Sequence, residues 1–216
     1  ALEGTVFDGD WLSIGVGAAY SPSYDGSDDY VVSVLPIVQG SFRGVDINPR
    51  PGGLALDFVP DSDDGVSFDL GVAARILGSR ASQIEDPVVE SLGELDTAIE
   101  VGPTAGVTFS KVLHDFDSVS FNVDTRWDVA GAHGGMVIDP SVTYFTPLSR
   151  GIITSLTLSA EYVDDDFADY YYSVDAAGSA VSGLPTFQAD GGFTKASATM
   201  LFGFDLDGDA TNGGLA

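Results

Sequence analysis

Cysteine is absent from the 216 residues, which removes disulfides, zinc-thiolate sites and thiol nucleophiles together. Lysine is almost absent too, with only Lys111 and Lys195, and the chain sets 33 acidic residues against 8 basic ones for a formal charge of -25. Such a surface repels phosphates, so nucleic acid is excluded as a partner. Solubility in a saline habitat accounts for the excess acid without any site, whereas a divalent-cation surface needs carboxylates that converge in space. Long apolar runs are missing as well. The longest, VVSVLPIV at 31–38, is broken by Ser33 and Pro36, and a membrane helix needs about 20 apolar residues in a row. The opening ALEGTVFDGD has neither a basic n-region nor an apolar h-region and reads as a mature or trimmed start.

Alternation is what the chain has in place of these. In SVSFNVDTRWDV at 118–129, Val119, Phe121, Val123, Thr125, Trp127 and Val129 alternate with Ser118, Ser120, Asn122, Asp124, Arg126 and Asp128. Successive side chains of a strand point to opposite faces, so one face is apolar and the other polar and charged. Two environments suit such a strand: a sandwich with its apolar face in a core, or a barrel with lipid outside and a wet lumen inside. The same period of two recurs in SFDLGVAARI at 67–76, ITSLTLSAEYV at 153–163 and KASATMLFGF at 195–204, with no comparable helical period. The expectation is one all-β unit over 1–216. Its strands fall near 11–20, 30–41, 43–49, 53–59, 65–78, 96–109, 117–130, 135–146, 152–163 and 191–206.

Several of these strands approach the length that a tilted strand needs to cross a bilayer, about 9 to 11 residues. Splitting 43–59 at PRPGG, where Pro and Gly punctuate, puts the two longest connections, 79–95 and 164–190, at the same end. Long loops at one end and short turns at the other are the pattern of an antiparallel transmembrane β-barrel. Trp11, Tyr20, Tyr30, Trp127, Tyr144, Phe145, Tyr162 and Phe204 lie near strand ends, where interfacial aromatic girdles sit.

Four segments carry a family likeness. YSPSYDGSDDY at 20–30, SLGELDTAIEVG at 91–102, WDVAGAHGGM at 127–136 and SGLPTFQADGGF at 182–193 resemble, in order and spacing, segments of the MipA/OmpV family of outer-membrane proteins. The resemblance implies a barrel in the outer membrane of a Gram-negative bacterium, in contact with its lipid and lipopolysaccharide. It further implies a scaffold, without enzymatic activity or cofactor, between a lytic murein transglycosylase and a murein synthase. Family sequences usually continue past the end of this one, so the ten strands are expected to belong to a barrel of twelve.

In such a barrel Asp69, Arg75, Glu100, Asp124, Arg126, Asp128, Glu161 and Lys195 face the lumen, while Phe68, Leu70, Val119, Phe121, Val123, Trp127, Leu156 and Leu158 face lipid. Arg126 stands at i±2 from Asp124 and Asp128, a spacing suited to ion pairs that fill a narrow lumen. A narrow channel for small solutes is one alternative to the scaffold. A barrel lipid hydrolase is the other, with His133 as base near a serine such as Ser141. It has thin support, since only His114 and His133 are present and no GxSxG, HExxH or P-loop pattern occurs. Asp205, Asp207 and Asp209 partly resemble a calcium loop, but Ala210 and Ala216 replace its glycine and final acid, and solvated turn carboxylates are the better reading. Asp164, Asp165, Asp166 and Asp169 read as the start of an exposed acidic loop able to share divalent cations with lipopolysaccharide.

Overall fold

The computed structural model describes residues 9–62, 65–81, 83–205 and 208. Ten strands follow one another in the order β1 (Trp11–Pro22), β2 (Tyr30–Phe42), β3 (Val45–Arg50), β4 (Gly53–Asp57), β5 (Val66–Leu77), β6 (Ala98–Ser110), β7 (Ser118–Asp128), β8 (Met136–Ser149), β9 (Ile152–Val163) and β10 (Gly192–Phe204). Each pairs antiparallel with its sequence neighbour, giving one ten-stranded sheet in sequence order. Expected and observed strands agree to within a few residues. The chief differences are β8, which runs on to Ser149, and β3, which starts only at Val45 after the Arg43–Gly44 turn. The break at PRPGG is real: Pro51 and Gly52 form the β3–β4 turn, and Gly52 takes a left-handed φ of 71° that favours glycine.

The sheet curls into an open barrel. In a flat sheet β5 and β9 would stand about 19 Å apart, four spacings of about 4.8 Å, more than an arginine and a glutamate span together. Yet Arg75 Nη1 on β5 lies 2.9 Å from Glu161 Oε2 on β9. Arg50 on β3 likewise reaches Asp124 on β7, at 3.0 Å. Lys195 on β10 comes within 3.7 Å of Asp25, in the β1–β2 connection, so the two sides of the sheet approach each other at that end. Among the described residues β1 and β10 share no ladder. A small inner-face residue lets neighbouring strands close up at Gly71, where a Cβ would collide with the Leu56 carbonyl.

Register sorts the two faces into rows. Phe68, Val107, Phe121, Val142, Leu158 and Ala198 lie side by side from β5 to β10 on the outer face. Next to them run Leu70, Ala105, Val123 and Pro140 on one side and Val119, Tyr144, Leu156 and Met200 on the other. The inner face carries a hydroxyl row of Thr108, Ser120, Thr143, Thr157 and Thr199. Within it Thr108 bonds Ser120 at 2.8 Å and Thr143 bonds Thr157 at 2.9 Å. Burial is therefore inverted relative to a water-soluble domain: Phe68 is 64% and Phe121 45% exposed, while Glu100 is fully buried.

Aromatic side chains mark both ends of the outer face. Tyr20 and Tyr30 pair at 5.1 Å and Tyr162 packs edge-on to Phe193 at 5.5 Å at the end with the long connections, while Phe109 meets Phe121 at 6.3 Å toward the other.

The long connections fold rather than dangle. Residues 78–97 hold α1 (Pro87–Glu90), and residues 164–191 hold α2 (Asp165–Tyr172) and α3 (Ala176–Ser182). No helix among the described residues is long and apolar enough to cross a membrane. The acidic run expected to start an exposed loop starts α2 instead, with Asp165, Asp166 and Asp169 exposed as expected. Asp164 caps it by accepting from the Phe167 amide at 3.1 Å and also holds Met136 N–H at 2.8 Å, and Asp165 accepts from Gly191 N–H at 2.7 Å. Phe167, Ala168 and Tyr171 on α2 then pack with Val137, Val163 and Ala189 as an apolar plug.

Candidate functional site

Beneath that plug lies a charge network drawn from seven strands. Arg75 on β5 donates from Nε and Nη2 to the two oxygens of Glu100 on β6, each at 2.9 Å, and from Nη1 to Glu161 on β9 at 2.9 Å. Arg126 on β7 donates to Glu100 at 3.2 Å, to Asp124 at 3.3 Å and to Asp139 on β8. Arg50 from β3 and Lys195 from β10 close the two flanks, on Asp124 at 3.0 Å and Glu161 at 3.1 Å. Four cations, Arg50, Arg75, Arg126 and Lys195, thus meet four carboxylates, Glu100, Asp124, Asp139 and Glu161. The balance matters, because buried ions cost several kcal/mol each to desolvate and tolerate it only when paired and hydrogen-bonded.

His133 joins this network to the plug. Its Nδ1 accepts from the Gly135 amide at 3.0 Å, so Nε2 carries the proton and points it toward Glu100 Oε1, 3.4 Å away. Phe167 and Tyr171 cover the ring at centroid distances of 4.7 and 5.7 Å. Burial, reinforced by Tyr170 and Glu100, pushes the Tyr171 hydroxyl pKa up, and that hydroxyl has no hydrogen-bond partner among the described residues. Nδ1 of His133 is therefore occupied and its Nε2 is enclosed near Glu100 without a formed hydrogen bond among the described residues, while Ser141 sits in mid-strand beside Asn122 and Ser159.

The eight charged residues assigned to the inner face from parity do not act alike. Arg75, Glu100, Asp124, Arg126 and Glu161 form the network, with Lys195 half exposed at its margin. Asp128 leaves it, turning to accept from Ala130 and Gly134 amides at 2.9 and 3.0 Å and so shaping the β7–β8 loop. Asp69 lies lower, in register with Gly106 and Asn122. Of the eight apolar residues assigned outward, Phe68, Leu70, Phe121, Val123, Trp127, Leu156 and Leu158 are exposed and Val119 is half-buried in an outer row.

Sequence reasoning missed Arg50 and Asp139. The same parity marks both, since Asp46, Asn48 and Arg50 share a face, as do Asp139, Ser141 and Thr143. Of the partial calcium pattern, Asp207 and Asp209 lie outside the described residues, and Asp205 accepts from Gly208 N–H at 2.9 Å. Among the described residues no three His, Asp or Glu side chains converge as a metal site. The network can brace strands across the interior, since its carboxylates and guanidinium groups are tied to one another.

No curated protein and no solved structure matches the chain. A family model described as MltA-interacting protein MipA matches residues 14–215, from within β1 to beyond β10. With that match over nearly the whole all-β sheet, the chain belongs to the MipA family.

Proposed function

We propose that the protein is an outer-membrane β-barrel of a Gram-negative cell envelope, working without catalysis as a scaffold for murein synthesis and turnover. The observation that supports it best is the inverted polarity of the sheet, apolar rows outward and paired charges inward, which lipid outside and water inside would stabilise. The family description names MltA, a murein transglycosylase, as the partner class. His133, sealed under Phe167 and Tyr171 with its Nδ1 held by the Gly135 amide, favours a structural over a hydrolytic role. A second reading, a narrow solute channel, draws on the inner hydroxyl row, but the charge network and the α2 plug stand across that path.

In this orientation the short turns lie in the periplasm, with murein and its enzymes. The turn 111–117 offers a firm apolar tip there. Leu113 is 77% and Phe116 66% exposed, while the Asp117 carboxylate accepts from Val112 and Leu113 amides at 2.7 and 2.9 Å and from the Tyr144 hydroxyl at 3.0 Å. Side chains held rigidly in water lose little entropy when a partner covers them. A purified MltA-type transglycosylase should be retained by the immobilised protein and lost from the Leu113→Asp/Phe116→Asp variant. Equal retention by that variant, or none by the wild type, counts against this docking surface.

A further inference from the structure

Of the eight Lys and Arg residues, four belong to the interior network, and Arg43, Lys111 and Arg150 lie in the short turns. Arg80 alone stands among the long connections, where Asp and Glu abound. Its guanidinium nevertheless forms no ion pair among the described residues, and its Nε is shut off from solvent without a hydrogen-bond partner. The residue as a whole is half-buried, and that burial pushes its pKa down. Such a group is unfavourable as it stands and calls for a partner.

The backbone holds Arg80 in place at some cost. Its φ of 53° lies in the left-handed region, and the Leu95 amide donates to its carbonyl at 2.9 Å. Strain of this kind gathers at ligand clamps. Two half-open clefts, of about 210 and 470 Å³, adjoin the side chain and share Arg80, Leu92, Ser173 and Val174 as walls. The larger is of the size that takes small molecules. Val181 completes its apolar side, and Asp169 and Asp175 supply its only carboxylates.

We propose that this cleft binds a small zwitterion, a free amino acid or dipeptide with an apolar side chain, with its carboxylate on Arg80 and its ammonium toward Asp169 and Asp175. A simple anion would satisfy Arg80 but meet both aspartates and the field of a chain carrying a formal charge of -25. A simple cation would leave Arg80 unpaired. A zwitterion satisfies both ends, its guanidinium–carboxylate contact being of the bidentate kind. Leu92, Val174 and Val181 take the apolar group. Occupancy would tie the 78–97 and 164–191 connections together, a role independent of the scaffold function.

The test uses the full chain in detergent micelles and isothermal titration with L-phenylalanine. Hydrocinnamate, which lacks the ammonium, and phenethylamine, which lacks the carboxylate, are the controls. Saturable binding of phenylalanine is expected, weaker by about tenfold or more for either analogue and for Arg80→Gln. Val181→Trp, which fills the larger cavity from an exposed position on α3, should abolish binding and decides the matter should Arg80→Gln fold poorly. No saturable phenylalanine binding, hydrocinnamate bound as tightly, or undiminished binding in either variant would overturn the proposal.

Discussion

Val123 and Asn122 are neighbours on β7, and the same substitution at each should have opposite consequences. Val123 lies midway along the strand, in the outer row with Leu70, Ala105 and Pro140, and is 44% exposed. An arginine facing lipid at mid-depth costs about 2 to 4 kcal/mol. With a urea dependence of about 1 to 3 kcal/mol per molar, Val123→Arg should lower the unfolding midpoint by about 0.7 to 4 M. Asn122 faces inward, in the row Asp69, Gly106, Asn122. Gly106 places no side chain between its neighbours, and a Cβ there would lie only 2.7 Å from Asp69 Oδ2, so an arginine at 122 can reach that carboxylate. Asn122→Arg should therefore stay within about 1 kcal/mol of wild type and become costlier once Asp69→Asn removes the partner. The assay is refolding into lipid vesicles followed by urea titration, read by tryptophan fluorescence and heat-dependent gel mobility. Equal losses at 122 and 123 would refute the assignment of the two faces.

Glu100→Gln keeps the shape of its side chain but leaves four interior cations against three carboxylates, and should cost about 3 to 5 kcal/mol in the same titration. Adding Arg75→Gln restores the balance, so the double variant should lose less than the two single losses summed, and a Glu100→Gln loss under about 1 kcal/mol would show that the network is not load-sharing. At the 111–117 turn, burial acts to raise the Asp117 pKa, but the Leu113, His114 and Val112 amides and the Tyr144 hydroxyl outweigh it and hold it below the ordinary carboxylate range. A depressed folded value adds stability above the unfolded pKa of about 3.9 and loses it as pH falls through the folded value. Asp117→Asn should thus lower the unfolding midpoint at neutral pH and match wild type in strong acid, and a difference that persists there would contradict this linkage.

Strand positions and facing were legible in the chain because a period of two is local to the backbone: it shows in any six residues, wherever the strand ends up. Pro51 and Gly52 announced their turn in the same way, through φ alone. Asp128 shows the limit of parity. It has the inward phase, yet free amides of the β7–β8 loop lie within its reach and take its carboxylate. The α2 plug was harder to foresee, since a helix of Asp165–Tyr172 is too short for its apolar spacing to stand out from chance.

By itself, then, the sequence determined an acidic, cysteine-free, all-β chain with one polar and one apolar face to each strand, and a family likeness that the match over residues 14–215 bears out. The tertiary structure decided which inward charges meet. Arg75 touches Glu161 and Arg50 touches Asp124 only because the sheet curls, and Arg80 lacks an ion-pair partner among the described residues only because two connections fold around it without bringing a carboxylate into contact. Curvature and loop docking arise from side chains far apart in sequence acting on one another, and no local pattern encodes such distances.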